Sequence, residues 1–119
     1  MSEETEADLV AEARTRIVEV AAATAIAARG VGGPVFLDVR EKNEWNLFRI
    51  PGAVHIPIGT LAAEASARVP RDRDVIVYCN KGNRSILATD QLRAMGFARV
   101  RSLIGGATAW MDAGGELED

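Results

Sequence analysis

A single cysteine, Cys79, stands among residues that suit it to nucleophilic chemistry. It closes the run Val75-Ile76-Val77-Tyr78, and Asn80-Lys81-Gly82-Asn83-Arg84-Ser85 follows. β-Branched residues and a tyrosine in a short apolar run predict a buried strand. The polar, Gly-containing segment after it predicts a loop, with a helix pattern beginning at Ser85. Such a loop turns successive main-chain N–H groups inward, the helix N-terminus adds partial positive charge, and Lys81 and Arg84 add cations, so the segment is expected to cradle a small anion. A cysteine placed there is expected to be a thiolate near neutral pH and to act as a nucleophile. A thiolate needs no separate general base. One cysteine forms no internal disulfide, and one cysteine with one histidine, His55, makes no metal-ligand cluster, so neither a metal nor another cofactor is expected.

The rest of the chain supplies the elements that must hold this loop. Residues 2–16 read as an amphipathic helix, acidic at its start and basic at its end, with Leu9, Val10, Ala13 and Ile17 as its apolar stripe. A short strand over 17–20 and an Ala-dense helix over 21–29 follow, stopped by Gly30 and the Gly32-Gly33-Pro34 break. Val35-Phe36-Leu37-Asp38-Val39 reads as a strand buried on both faces, with Arg40 at its end. Residues 41–47 predict a short helix anchored by a buried Trp45, and residues 50–57 a turn into a strand carrying His55 as a core or edge histidine. Helices over 61–69 and 86–95, a strand over 98–103 and a last helix with Trp110 in the core complete the series. The acidic end, 116–119, is expected to be loose. Alternating strands and helices predict an α/β fold with a largely parallel sheet and helices on both faces. Ligands of such sheets bind beyond the carboxyl ends of the strands, where Cys79, Asp38 and Arg40 all fall.

The 119 residues suit one domain with a real core. A net charge of −3 argues against bulk attraction to nucleic acid or an anionic membrane. Residues 71–106 nevertheless carry seven basic side chains against three acidic ones, which predicts a positive field around the Cys79 loop. No apolar leader or membrane-length apolar run is present, so a reducing cytoplasm is the expected setting.

Several segments, taken in order, resemble the single-domain rhodaneses, a sulfurtransferase family. They are Phe36-Leu37-Asp38-Val39-Arg40-Glu41, Glu44-Trp45, the stretch from Ile50 to Pro57, the stretch from Val77 to Ser85, and Gly105-Gly106-Ala107-Thr108-Ala109-Trp110 with Gly114. The resemblance spans residues 17–115, leaving 1–16 as an N-terminal helical extension and 116–119 as an acidic tail. It implies a rhodanese-like, five-stranded, mostly parallel sheet with helices on both sides. It further implies a thiosulfate sulfurtransferase in which Cys79 attacks the outer sulfur of a small anionic sulfane donor and becomes a persulfide. The main-chain amides of Asn80, Lys81, Gly82, Asn83, Arg84 and Ser85 would stabilise that persulfide, Lys81 and Arg84 would hold the donor, and Asp38 and Arg40 would brace the loop. Without a second cysteine the sulfur must pass to an outside acceptor: cyanide, a cellular thiol, a thioredoxin-like protein or a sulfur-carrier protein.

Two positions depart from the family pattern. Phe48-Arg49 replaces a frequent Gly-His pair, and Asn80 stands where thiosulfate-preferring members often carry arginine. Two alternative readings compete with sulfur transfer: a regulatory or sulfur-carrier module with little turnover, and a small cysteine phosphatase or arsenate reductase. Tyrosine phosphatases separate cysteine and arginine by five residues. Four separate Cys79 from Arg84, a tighter ring that suits sulfur better than a phosphoryl group.

Overall fold

Val75–Tyr78 is apolar at every position, and burial on both faces puts such a strand at the centre of a sheet. In the structure, a computed structural model in which residues 4–119 are described, it is the middle one of five strands. These are β1 (Val18–Val20), β2 (Val35–Asp38), β3 (Val54–His55), β4 (Val75–Tyr78) and β5 (Val100–Leu103). Their spatial order is β1-β5-β4-β2-β3, and every pairing is parallel. Among the described residues the six α-helices are α1 (Glu6–Arg14), α2 (Ala22–Ala28), α3 (Lys42–Leu47), α4 (Leu61–Arg68), α5 (Asn83–Ala94) and α6 (Gly106–Asp112), with a 3-10 turn over Ile58–Thr60. The sheet expected to be largely parallel is parallel throughout.

Alternation along the strands sorts side chains into two cores. Val75, Val77 and Cys79 face α4 and α5, where Leu61, Ala65, Ala88 and Leu92 pack. Ile76 and Tyr78 face α2 and α6, where Ala25 and the fully buried Trp110 pack. Helices thus cover both faces. No described helix is long and apolar enough to cross a membrane.

Four details differ from expectation. The helix predicted over 2–16 spans Glu6–Arg14, because Thr5 caps it: Thr5 Oγ1 accepts from Asp8 N and Asp8 Oδ2 from Thr5 N, both at 3.1 Å. Residues 2 and 3 of that expectation lie outside the described residues. Trp45 is half-buried, since α3 buries no side chain; the ring stacks on His55 at 4.7 Å along the two-residue edge strand β3. Helix α5 begins at Asn83, two residues before Ser85, because Gly82 at φ 105° turns the chain within one residue. Glu116–Asp119 is tied down. Arg49 and Glu118 exchange main-chain hydrogen bonds at 2.8 and 2.9 Å, and Trp110 Nε1 donates to the Glu116 carbonyl at 2.8 Å.

Candidate active site

Because β4 and β2 pair in register, Tyr78 beside Asp38, the residues just past both strands meet at one edge of the sheet. Cys79 leaves β4 there and Arg40 leaves β2. The thiol is buried at the base of an open cleft of about 410 Å³, which Asn80, Lys81, Asn83, Arg84 and Glu6 also line. Two main-chain N–H groups reach its sulfur: Gly82 N at 3.1 Å and Ser85 N at 3.3 Å. Ser85 Oγ lies 3.5 Å from Sγ, and it also donates to the Gly82 carbonyl and meets Ser102 Oγ at 2.9 Å. These contacts come from the left-handed turn at Gly82 followed directly by α5, whose first N–H groups have no partner within the helix.

Helix α6 locks the loop from behind. Ala107 N donates to the Cys79 carbonyl at 2.8 Å and Thr108 N to the Asn80 carbonyl at 3.0 Å. So close an approach needs Gly106: a Cβ there would lie 2.4 Å from the Cys79 carbonyl oxygen. The Gly105-Gly106 pair therefore serves packing.

A charged network braces the front. Asp38 and Arg40 are both fully buried and paired, with Nη2 to Oδ2 at 2.8 Å and Nε to both carboxylate oxygens at 3.1 Å. Burial opposes the Arg40 charge, yet the Asp38 carboxylate prevails and raises its pKa. Arg40 also donates to the Phe48 carbonyl and, at 3.1 Å, to Asn80 Oδ1. The Asn80 amide donates in turn to Glu44. Glu44 accepts both Arg84 Nη1 at 2.8 Å and Arg84 Nη2 at 3.0 Å. That bidentate contact, aided by the Glu41 main chain, lowers the Glu44 pKa to about 2 and raises that of Arg84. Burial holds the Tyr78 phenol well above its usual range, and its oxygen accepts from Ile50 N at 3.2 Å.

All the sequence-predicted site residues gather at this edge. Their partners were less legible. Glu44 stands 40 positions from Arg84 and joins it only through the fold; in the sequence it stands out only within the Glu44-Trp45 segment of the resemblance, and its capping box with Glu41 marks a helix start and no distant partner. Glu6 carried no signal. The expected positive field is dispersed. Arg73 donates to the Gly33 carbonyl and Arg99 to Asp74 and the Asp72 carbonyl, all at the opposite edge, where β4 and β5 begin. Arg71 stacks on Phe97. Lys81 and Arg84 are the cations that line the cleft. Arg49 pairs with Glu118 and stacks over Trp45. A second cleft, of about 620 Å³, lies beside α2 and Trp110; its arginines are engaged, Arg29 by Glu116 and Arg73 by Gly33, and it holds no nucleophile.

Fold and site define an α/β protein with a lone nucleophile in a main-chain anion cradle at the carboxyl edge of a parallel sheet. Residues 21–113 match the family model described as a rhodanese-like domain, and the chain belongs to that family. A sulfurtransferase of Allochromatium vinosum is 37% identical over 76 residues, covering 64% of this chain and 70% of that one. A putative sulfur carrier protein of Bacillus subtilis is 35% identical over 74 residues, covering 62% and 40%. The adenylyltransferase and sulfurtransferase of Ogataea parapolymorpha is 32% identical over 77 residues, 65% of this chain, but the match spans only 20% of its length. Among solved structures, a Rhodopseudomonas palustris protein of unknown function, described as a possible tyrosine phosphatase, superposes with a TM-score of 0.90 at 30% identity, covering 99% of this chain and 97% of that one. The rhodanese-like domain of an Anabaena protein gives 0.77 at 33% identity, covering 84% and 77%.

Proposed function

We propose that this protein transfers sulfane sulfur, from thiosulfate or a related donor to a thiophilic acceptor, through a persulfide on Cys79. The observation that carries this reading is the Cys79 sulfur at the base of a cleft, met by the Gly82 and Ser85 N–H groups. The Cys79 thiolate attacks the outer sulfur of the donor. The sulfur–sulfur bond of thiosulfate breaks, and sulfite leaves with the electron pair. Cys79 then bears a terminal sulfur about 2 Å beyond Sγ, the length of a sulfur–sulfur bond. Cyanide or a thiol attacks that outer sulfur, and the Cys79 thiolate is released. Main-chain N–H groups favour the anionic forms at both stages. Asp38 and Arg40 act as braces, holding the loop through the Asn80 side chain. A sulfur-carrier protein fits the acceptor role, in keeping with the carrier and adenylyltransferase–sulfurtransferase relatives.

The test is mass spectrometry of the intact protein after incubation with thiosulfate, mercaptopyruvate or a thiol persulfide. The expected result is a gain of one sulfur atom on Cys79, absent from Cys79→Ser and removed by cyanide as thiocyanate. No gain from any donor would sink the reading. The phosphatase description of the Rhodopseudomonas protein supplies the second arm. Hydrolysis of p-nitrophenyl phosphate is expected to be negligible, because only two N–H groups converge on Sγ and Glu44 occupies the Arg84 fork.

A further inference from the structure

Helix α1 lies outside the family-matching residues, yet its Glu6 lines the Cys79 cleft. Val10 and Ala13 pack on Ile86 of α5, and Arg16, just past α1, grips Asp90 with Nε to Oδ1 at 3.0 Å and Nη2 to Oδ2 at 2.8 Å. This docking sets Glu6 in the lining of the cleft that also holds Lys81 and Arg84. Glu6 and Asn83 also line a neighbouring cleft of about 450 Å³ that runs on along α1 past Ala7, Val10 and Arg14. The cleft's charges are then nearly balanced. Lys81 and Arg84 are basic, but Arg84 is neutralised by the bidentate Glu44, and Glu6 adds a carboxylate to the lining that holds Lys81.

We propose that Glu6 is a specificity-determining residue: it sets the site against doubly charged sulfur donors and toward donors with one negative charge or none, of which the persulfide of a thiol is the natural class. This rests on the sulfur-transfer reading above. The first step already brings an anionic thiolate against an anionic donor. A carboxylate on the wall adds repulsion in proportion to the donor's charge, so it penalises a dianion about twice as much as a monoanion in free-energy terms. Asn80, at a loop position where arginine would add positive charge, directs its amide to Glu44 and Arg40.

The experiment has two arms. In the first, Cys79, the chain's one thiol, is alkylated with iodoacetate or neutral iodoacetamide, and the ratio of the two rates reads the charge of the cleft whatever reaction the protein catalyses. Glu6→Gln should raise that ratio about threefold, the order expected of one water-screened charge across a cleft, and the gain should fade at about 1 M salt. Glu12→Gln removes the same charge from α1 away from the cleft and should leave the ratio unchanged. In the second arm, Glu6→Gln should raise kcat/KM about ninefold for thiosulfate and about threefold for methanethiosulfonate, which yields the same persulfide and methanesulfinate. A ratio unmoved in Glu6→Gln, or moved equally in Glu12→Gln, overturns the proposal even if sulfur loads normally on Cys79. A shifted alkylation ratio with no sulfur loaded from any donor overturns sulfur transfer instead, and the donor claim with it.

Discussion

Glu44 holds Arg84 with both carboxylate oxygens and Asn80 with one of them, so a single side chain of α3 ties the helix that begins beside Cys79 to the loop that carries it. Arg84 keeps its carboxyl near pKa 2, well below the usual 4.5. A depressed folded-state pKa means that the unfolded chain binds the extra proton first. The ion pair's stabilisation is therefore complete above about pH 4.5 and drains away as pH falls toward 2. With Arg84 about a third exposed, about 1 kcal/mol is a realistic size once solvent screening is allowed for. Urea unfolding of the wild type and Glu44→Gln should differ by that amount at pH 6, with the gap closing between pH 4.5 and 2. A gap that stays constant over this window would mean that Glu44 acts through packing. The fully buried Asp38–Arg40 pair is of another kind: removing either partner strands a charge in the interior.

At the scale of elements, the loop's geometry depends on the helix behind it as much as on its own residues. Gly106 adopts φ 58°, and a methyl group there meets main-chain atoms of Cys79 and Asn80, which cannot rotate away. Gly106→Ala is expected to cost more than 2 kcal/mol in urea unfolding and to abolish sulfur loading of Cys79, because the loop must move to admit the methyl. Retention of wild-type loading would show that the α6 N-terminus yields instead. The same elements show what the sequence makes legible. The continuous apolar runs of β2 and β4 and the strand-end positions of Asp38, Arg40 and Cys79 are local signals that lie where their patterns predict, and the glycine turn into α5 is a local signal off by two residues. What needs two distant segments was hidden. Glu44 meets Arg84, and Glu6 joins the lining of the Cys79 cleft, only after α3 and α1 have docked. The basic residues between 71 and 106 misled because nearness along a chain is not nearness in space: β4 runs the length of the sheet between Arg73 and Cys79 and puts them at opposite edges. Trp45 misled because an aromatic beside a two-residue edge strand finds a ring to stack on and no interior to enter.

Over the whole molecule, segments outside the family-matching stretch complete it at both ends. Helix α1 closes over α5 and reaches the cleft, while residues 116–119 close over the opposite core. Trp110 is fully buried, and its Nε1–H finds its acceptor in the Glu116 carbonyl. Leu117 packs against the same core, and the Glu118 main chain pairs with Arg49. Deleting 116–119 leaves the Trp110 N–H without its protein partner, opens the Arg29–Glu116 and Arg49–Glu118 ion pairs, and bares apolar surface. An unsatisfied buried donor alone costs about 1–3 kcal/mol, and the exposed ion pairs add little. For a domain near 100 residues, a loss of about 2 kcal/mol lowers Tm by roughly 8–16 °C. None of these contacts touches the Cys79 cleft, so the truncated protein, below its lowered Tm, is expected to load sulfur as the full chain does. Calorimetry paired with the mass measurement separates the outcomes. A Tm unchanged by the deletion would mean that the tail rests on the core without securing it, and a loss of loading in protein that is still folded would mean that this strap reaches the site through Arg49 and α3.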